Sequence, residues 1–126
     1  MIESATGKQA RVHFVPHSGP FARGIHATVQ ARTSKHVSTE QLQDVYENAY
    51  ANAPFVDVIA GTPKLKDVVA SNNCRIGVAG GGDSVVVMSV IDNLVKGAAG
   101  GAMQWMNRLW DLPETTGLMA AAPGWT

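Results

Sequence analysis

The sequence predicts an α+β fold: a mostly antiparallel sheet with helices on one face. Three observations carry that expectation. Ile25–Arg32 alternates apolar and polar residues, as a strand does. Ser38 and Gln41 form a capping-box pair that opens a helix. Cys74–Ala79 and Ser84–Ile91 are two strand-like runs joined by GGGD (Gly80–Asp83), which has the chemistry of a tight hairpin.

Taken in order, the first element expected is a strand over Gln9–Val15 (QARVHFV). Residues 1–8 hold no clear strand or helix start and read as a flexible beginning. Pro16–Gly24 is rich in proline and glycine and reads as a shaped loop. Ile25–Arg32 places Ile25, Ala27, Val29 and Ala31 on one face, so a half-buried strand is expected. In the helix after Ser38, Val37 and Leu42 sit where a hydrophobic staple packs. Leu42, Val45, Tyr46 and Ala49 form an apolar stripe at helical spacing. Pro54 requires the helix to stop before it. Phe55–Ile59 is a short strand, Gly61–Lys66 a loop, and Lys64–Asp67 a short turn. Val85–Met88 is apolar on both faces, which predicts a central strand. Leu94–Trp110 reads as a helix, and Leu112–Thr126 as an irregular tail.

Composition bounds the function classes. The chain has 126 residues, enough for one domain with a real core. Ten basic and ten acidic residues balance, and no basic block offers a footprint for nucleic acid. The apolar runs are far too short to span a membrane as a helix, and the first ten residues contain no signal-peptide core. A single cysteine, Cys74, excludes an internal disulfide. These features predict a soluble, cytoplasmic protein.

Candidate chemistry is sparse. GGGD lacks the lysine and Ser/Thr of a phosphate loop, and a strand follows it, so the hairpin reading stands. Cys74 opens an apolar strand beside Arg75 and reads as a structural thiol rather than a nucleophile. His13, His17, His26 and His36 fall in one stretch, and strand geometry would make His13 and His26 cross-strand neighbours. No carboxylate or cysteine shares their spacing, so no metal site is expected. His17 lies in the Pro/Gly-shaped loop with Arg23, and loops held by a rigid sheet often carry function. Arg23 can present a planar fork to a carboxylate or phosphate, or stay solvated. Asp92 or Asn93 can cap the last helix. Gly97 and Gly100 each cost that helix about 1 kcal/mol relative to alanine, so a close backbone approach, a cofactor or a domain interface should offset them.

Three segments, His13–Ile25 (HFVPHSGPFARGI), Asp92–Asn107 (DNLVKGAAGGAMQWMN) and Leu112–Leu118 (LPETTGL), together resemble the carboxy-terminal half of the N-acetyl-gamma-glutamyl-phosphate reductases. PKLKDVV and CRIGV also fit that family. DNLVKGA alone is less specific, because aspartate-semialdehyde dehydrogenases carry a similar segment.

The resemblance implies reduction of an acyl phosphate to a semialdehyde with NADP as cofactor, in arginine biosynthesis. It implies the carboxy-terminal domain of a glyceraldehyde-3-phosphate dehydrogenase-like fold, which also forms homo-oligomers. By the same resemblance Arg23 and His17 belong to the substrate side and Asn93 to the nicotinamide side. It places no catalytic residue in this chain. The family's nucleophilic cysteine and acid/base histidine belong to motifs expected upstream, as does the glycine-rich dinucleotide loop, and Cys74 does not match. The chain departs from the family at Ala99-Gly100-Gly101, where serine or alanine followed by glutamine is usual. The expectation is a partial catalytic and dimerisation domain, inactive alone. The rivals are a non-catalytic oligomerisation module of the same fold and a fragment of an aspartate-semialdehyde dehydrogenase. PHSGPFARGI argues against the latter.

Overall fold

A computed structural model describes residues 11–124 together with Ser4, Gly7 and Gln9. Four strands form one sheet: β1 (Ile25–Arg32), β2 (Val56–Ile59), β3 (Cys74–Gly81) and β4 (Ser84–Ile91), in the order β1-β4-β3-β2. β4 pairs antiparallel with both β1 and β3, while β2 runs parallel to β3. The sheet is therefore mixed and mostly antiparallel, as expected. The parallel pair needs a crossover, which Ala60–Asn73 supplies with a single 3₁₀ turn at Leu65–Asp67.

The β3–β4 hairpin forms where GGGD predicts it, though both strands extend further into it. Only Gly82 and Asp83 remain as the turn, with Gly82 at φ +60°. β4 is the central strand that its two apolar faces predict. Val85, Val86 and Val87 are only half-buried, whereas Val90 is fully buried.

Helix α1 (Thr39–Tyr50) starts as the sequence dictates. Ser38 Oγ accepts from the Gln41 amide, and the Gln41 side chain accepts from the Ser38 amide. The helix start is fixed to β3 by Thr39, whose hydroxyl donates to the Gly80 carbonyl and accepts the Gly80 amide. Gly80 is required there: a Cβ would lie 2.6 Å from the Val37 carbonyl oxygen. The expected stripe is only partly correct. Leu42 and Tyr46 turn inward, but Val45 is 60% exposed and Ala49 is also exposed.

Two strand expectations change. Arg11–Val15 forms no strand, and its side chains are exposed; Ala10 lies outside the described residues. A β-prone segment becomes a strand only when an edge pairs with it, and among the described residues no strand does so. His13 is therefore not a cross-strand neighbour of His26, which stands opposite Val90. β1 forms, but it is largely exposed rather than half-buried, because it lies at the sheet edge away from α1. The expected flexible beginning, 1–8, lies outside the described residues except for Ser4 and Gly7.

The core is small. Phe55, Val68, Val69, Ile76, Val78, Val90 and Leu118 are buried; Val68 and Val69 lie in the crossover, Ile76 and Val78 in β3, and Val90 in β4. No described helix is long and apolar enough to cross a membrane.

The last helical segment is not one uniform helix. Val95–Ala99 is a π turn, and α2 runs from Gly100 to Leu109. Its hydrogen bonds skip five residues: Gly97 N to Asp92 O at 2.8 Å, Ala99 N to Leu94 O at 3.0 Å. Gly100 explains the cost noted in the sequence. A Cβ there would meet Asn72 Oδ1 at 2.5 Å. Beyond α2, buried Asn107 donates to the carbonyls of Glu114 and Thr116 and so fixes the LPETTGL turn against the helix.

Candidate functional site

The sheet register builds the site. Ile25 opens β1 opposite Ile91, which closes β4. The residues just before β1 and just after β4 are therefore neighbours, and these are Arg23-Gly24 and Asp92-Asn93. Arg23 Nη2 donates to Asp92, 2.9 Å from Oδ1 and 2.8 Å from Oδ2. The Gly24 amide donates to Asn93 Oδ1 at 2.7 Å. Gly24 sits at φ +110°, a conformation that favours glycine, and a Cβ would strike Leu65 Cδ2 at 2.5 Å.

Asp92 is wholly buried. Besides Arg23 it accepts the Leu94 and Val95 amides at 2.8 and 2.7 Å, and the Ala70 amide at 2.7 Å. Ala70 belongs to the crossover and holds φ +63°. Burial pushes the Asp92 pKa up, but the donors from Ala70, Val95, Arg23 and Leu94 outweigh it and bring it down to about 2. With its lone pairs occupied and its proton lost, Asp92 is an anchor and not a base. The sequence signalled only its capping role.

The structure thus brings Arg23 and Asn93 together. Arg23 keeps 36% of its side chain exposed, and its Nε is buried without a partner. His17 is exposed, and its Nδ1 contacts the Val15 carbonyl at 3.1 Å. No hydrogen bond joins it to Arg23 or Asn93.

A second polar cluster lies on α2. Gln104 accepts from Asn72 at 3.0 Å and from Lys96, and it donates to Glu114. Lys96 also lies 5.6 Å above the Phe55 ring, and burial lowers its pKa. Lys96, Gln104 and Glu114, with Gly101, Trp105 and Arg108, line an open cleft of about 270 Å³. Burial pushes the Cys74 thiol up, against the partial pull of Lys96, which disfavours the thiolate.

Residues 1–93 match the family described as semialdehyde dehydrogenase, dimerisation domain. The chain belongs to that family. Among its relatives, an N-acetyl-gamma-glutamyl-phosphate reductase of Nitrosomonas europaea is 57% identical over 109 residues, which are 83% of this chain and 31% of that protein. One from Ectopseudomonas mendocina is 52% identical over 125 residues, covering 96% and 36%. This semialdehyde dehydrogenase dimerisation domain therefore spans about a third of the length of such relatives. A crystal structure of aspartate semialdehyde dehydrogenase II from Vibrio cholerae superposes with a TM-score of 0.58 over 71% of this chain and 28% of that one. At 23% identity that likeness speaks for the fold alone.

Proposed function

We propose that this chain provides the substrate-orienting part of an oxidoreductase that reduces N-acetyl-gamma-glutamyl phosphate to the semialdehyde with NADP as cofactor, in cytoplasmic arginine biosynthesis. The observation that carries the reading is the shared position of Arg23 and Asn93, held by Asp92 and Gly24. The high identity to reductases of that name supports it.

In this reading Arg23 keeps one nitrogen on Asp92 and offers its remaining donors to the anionic end of the substrate, as a planar fork suits. Asn93 spends its carbonyl on Gly24 and leaves its amide hydrogens for a carboxamide. One such contact fits a nicotinamide ring, and these residues account for no more of a dinucleotide. The nicotinamide supplies the hydride when bound. His17 lies near the substrate loop and is given a binding role, not a proton-transfer one. Acyl-phosphate reduction also needs a thiolate and a proton donor. Burial disfavours a thiolate at Cys74, and in this reading the thiolate and the proton donor come from the rest of the enzyme. The chain acts as one catalytic and oligomerisation unit that assembles with further copies.

A chimera tests this. The chain replaces the corresponding region of the Nitrosomonas europaea protein, and NADPH oxidation is followed with N-acetyl-gamma-glutamyl phosphate and with aspartyl phosphate. The first substrate should turn over, and Arg23→Gln should raise its KM. A chimera that folds and prefers aspartyl phosphate overturns the substrate assignment. One that folds, oligomerises and reduces neither favours a non-catalytic module.

A further inference from the structure

Arg23 reaches its place with little support from its own strand. β1 is an exposed edge, and the loop before it is exposed as well. A long flexible side chain in such a setting samples many rotamers, and presenting a fork then carries an entropic cost. The structure removes that freedom through one neighbour. Asp92 is 0% exposed and is the common acceptor for three separate parts of the chain: the segment before β1 (Arg23), the crossover (Ala70) and the start of the π turn (Leu94, Val95). The residue that follows it, Asn93, ties down the residue that follows Arg23. The two dipeptides are thus cross-linked twice, and Asp92 forms the link that also carries charge.

We propose that Asp92 is a positioning residue for anion binding: it fixes the Arg23 guanidinium, and with it the placement of Arg23 relative to Asn93, without touching the substrate. This rests on the reading of Arg23 as an anion-binding residue, and it adds the group that makes that arginine effective. The capping bonds from Leu94 and Val95 to Oδ1 and the bond from Ala70 to Oδ2 hold still the two carboxylate oxygens that Arg23 also contacts. A carboxylate held by three backbone donors cannot follow the arginine's motion, so the arginine must conform to it.

The test uses the isotopically labelled chain and inorganic phosphate as the probe, with nuclear magnetic resonance of the arginine side chains. In the unaltered chain the buried Arg23 Nε–H should exchange slowly with water, and phosphate should shift it. Asp92→Asn should accelerate that exchange and weaken phosphate binding by at least about tenfold, the loss expected for a charge-assisted contact. If Asp92→Asn fails to fold, Arg23→Lys keeps a cation for Asp92 but removes the fork. It should leave the Ala70 and Val95 amide signals in place and still lose phosphate by about tenfold. Phosphate binding unchanged in Asp92→Asn, or in Arg23→Lys, overturns the positioning role. An unaltered chain in which Arg23 is locked but phosphate shifts nothing overturns the anion-binding reading, while leaving the lock itself demonstrated.

Discussion

The side-chain carbonyl of Asn93 accepts the backbone amide of Gly24 at 2.7 Å, joining residues 69 positions apart in the chain. This bond closes the open end of the β1–β4 pair beyond the last sheet register. Asn93→Ala leaves the Gly24 amide without its acceptor. The expected cost is about 1 kcal/mol, measured by urea unfolding, with Asn93→Asp retaining most of that stability because it keeps the acceptor. Equal losses in both variants would show that the bond is not what matters at this position.

Acid should weaken the fold through Asp92. Its pKa is about 2 in the folded chain against a usual 3.8. A depressed carboxylate pKa stabilises above the unfolded value and loses that stabilisation as pH falls through the folded one. The contribution is about 2 kcal/mol near neutrality and should fade between about pH 4 and pH 2. The stability gap between the unaltered chain and Asp92→Asn should therefore narrow across that window. A gap independent of pH contradicts the assignment.

Gln104 should behave as the centre of its cluster. Gln104→Ala leaves Asn72, Lys96 and Glu114 each short of a partner. A loss of about 1–3 kcal/mol is expected in thermal or chemical unfolding. Gln104→Glu can still accept from Lys96 but sets a carboxylate against Glu114 in place of the amide donor, so it should lose more at neutral pH than when the carboxylates are protonated.

Glycines in this chain should separate by surroundings. Gly100→Ala brings a Cβ to 2.5 Å from Asn72 Oδ1 and 2.9 Å from the Val95 carbonyl oxygen, and should cost about 1–3 kcal/mol. Gly81→Ala enters open space at an ordinary φ and should be neutral within about 0.5 kcal/mol. Melting temperatures of the two variants decide this.

Ala70 presents the opposite case. Its φ of +63° places an alanine in the left-handed region, where the Cβ costs roughly 1–2 kcal/mol. Ala70→Gly relieves that strain and should raise stability by up to about 1 kcal/mol, after the added freedom of the unfolded chain is counted.

Local patterns were legible where one segment sufficed to specify them. The Ser38–Gln41 capping box, the GGGD hairpin and the central place of β4 all follow from short-range chemistry. The strand expected over Gln9–Val15 is absent from its described stretch, Arg11–Val15, because a strand depends on an edge elsewhere in the chain. Val45 and Ala49 fit a helical stripe, yet both are exposed while Leu42 and Tyr46 turn inward. At the site, resemblance singled out Arg23 and Asn93, and spacing marked Asp92 as a cap. The ion pair between Arg23 and Asp92 was not legible, since only the β1–β4 register brings those residues together. The π turn left only its glycines as a sign, and nothing in the sequence said that Asn72 would fill the space they leave.

The five-residue hydrogen-bond step after Asp92 makes this segment sensitive to length rather than to side-chain identity alone. Removing one residue between Leu94 and Ala99 would restore ordinary α-helical phase and rotate everything downstream by about 100°. Gln104 would swing away from Lys96 and Asn72, and Asn107 would release the Glu114–Thr116 turn. Single-residue deletions should therefore be far more damaging here than at the Gly82-Asp83 tip, and a wide turn that looks like an irregularity serves as a ruler for the end of the molecule.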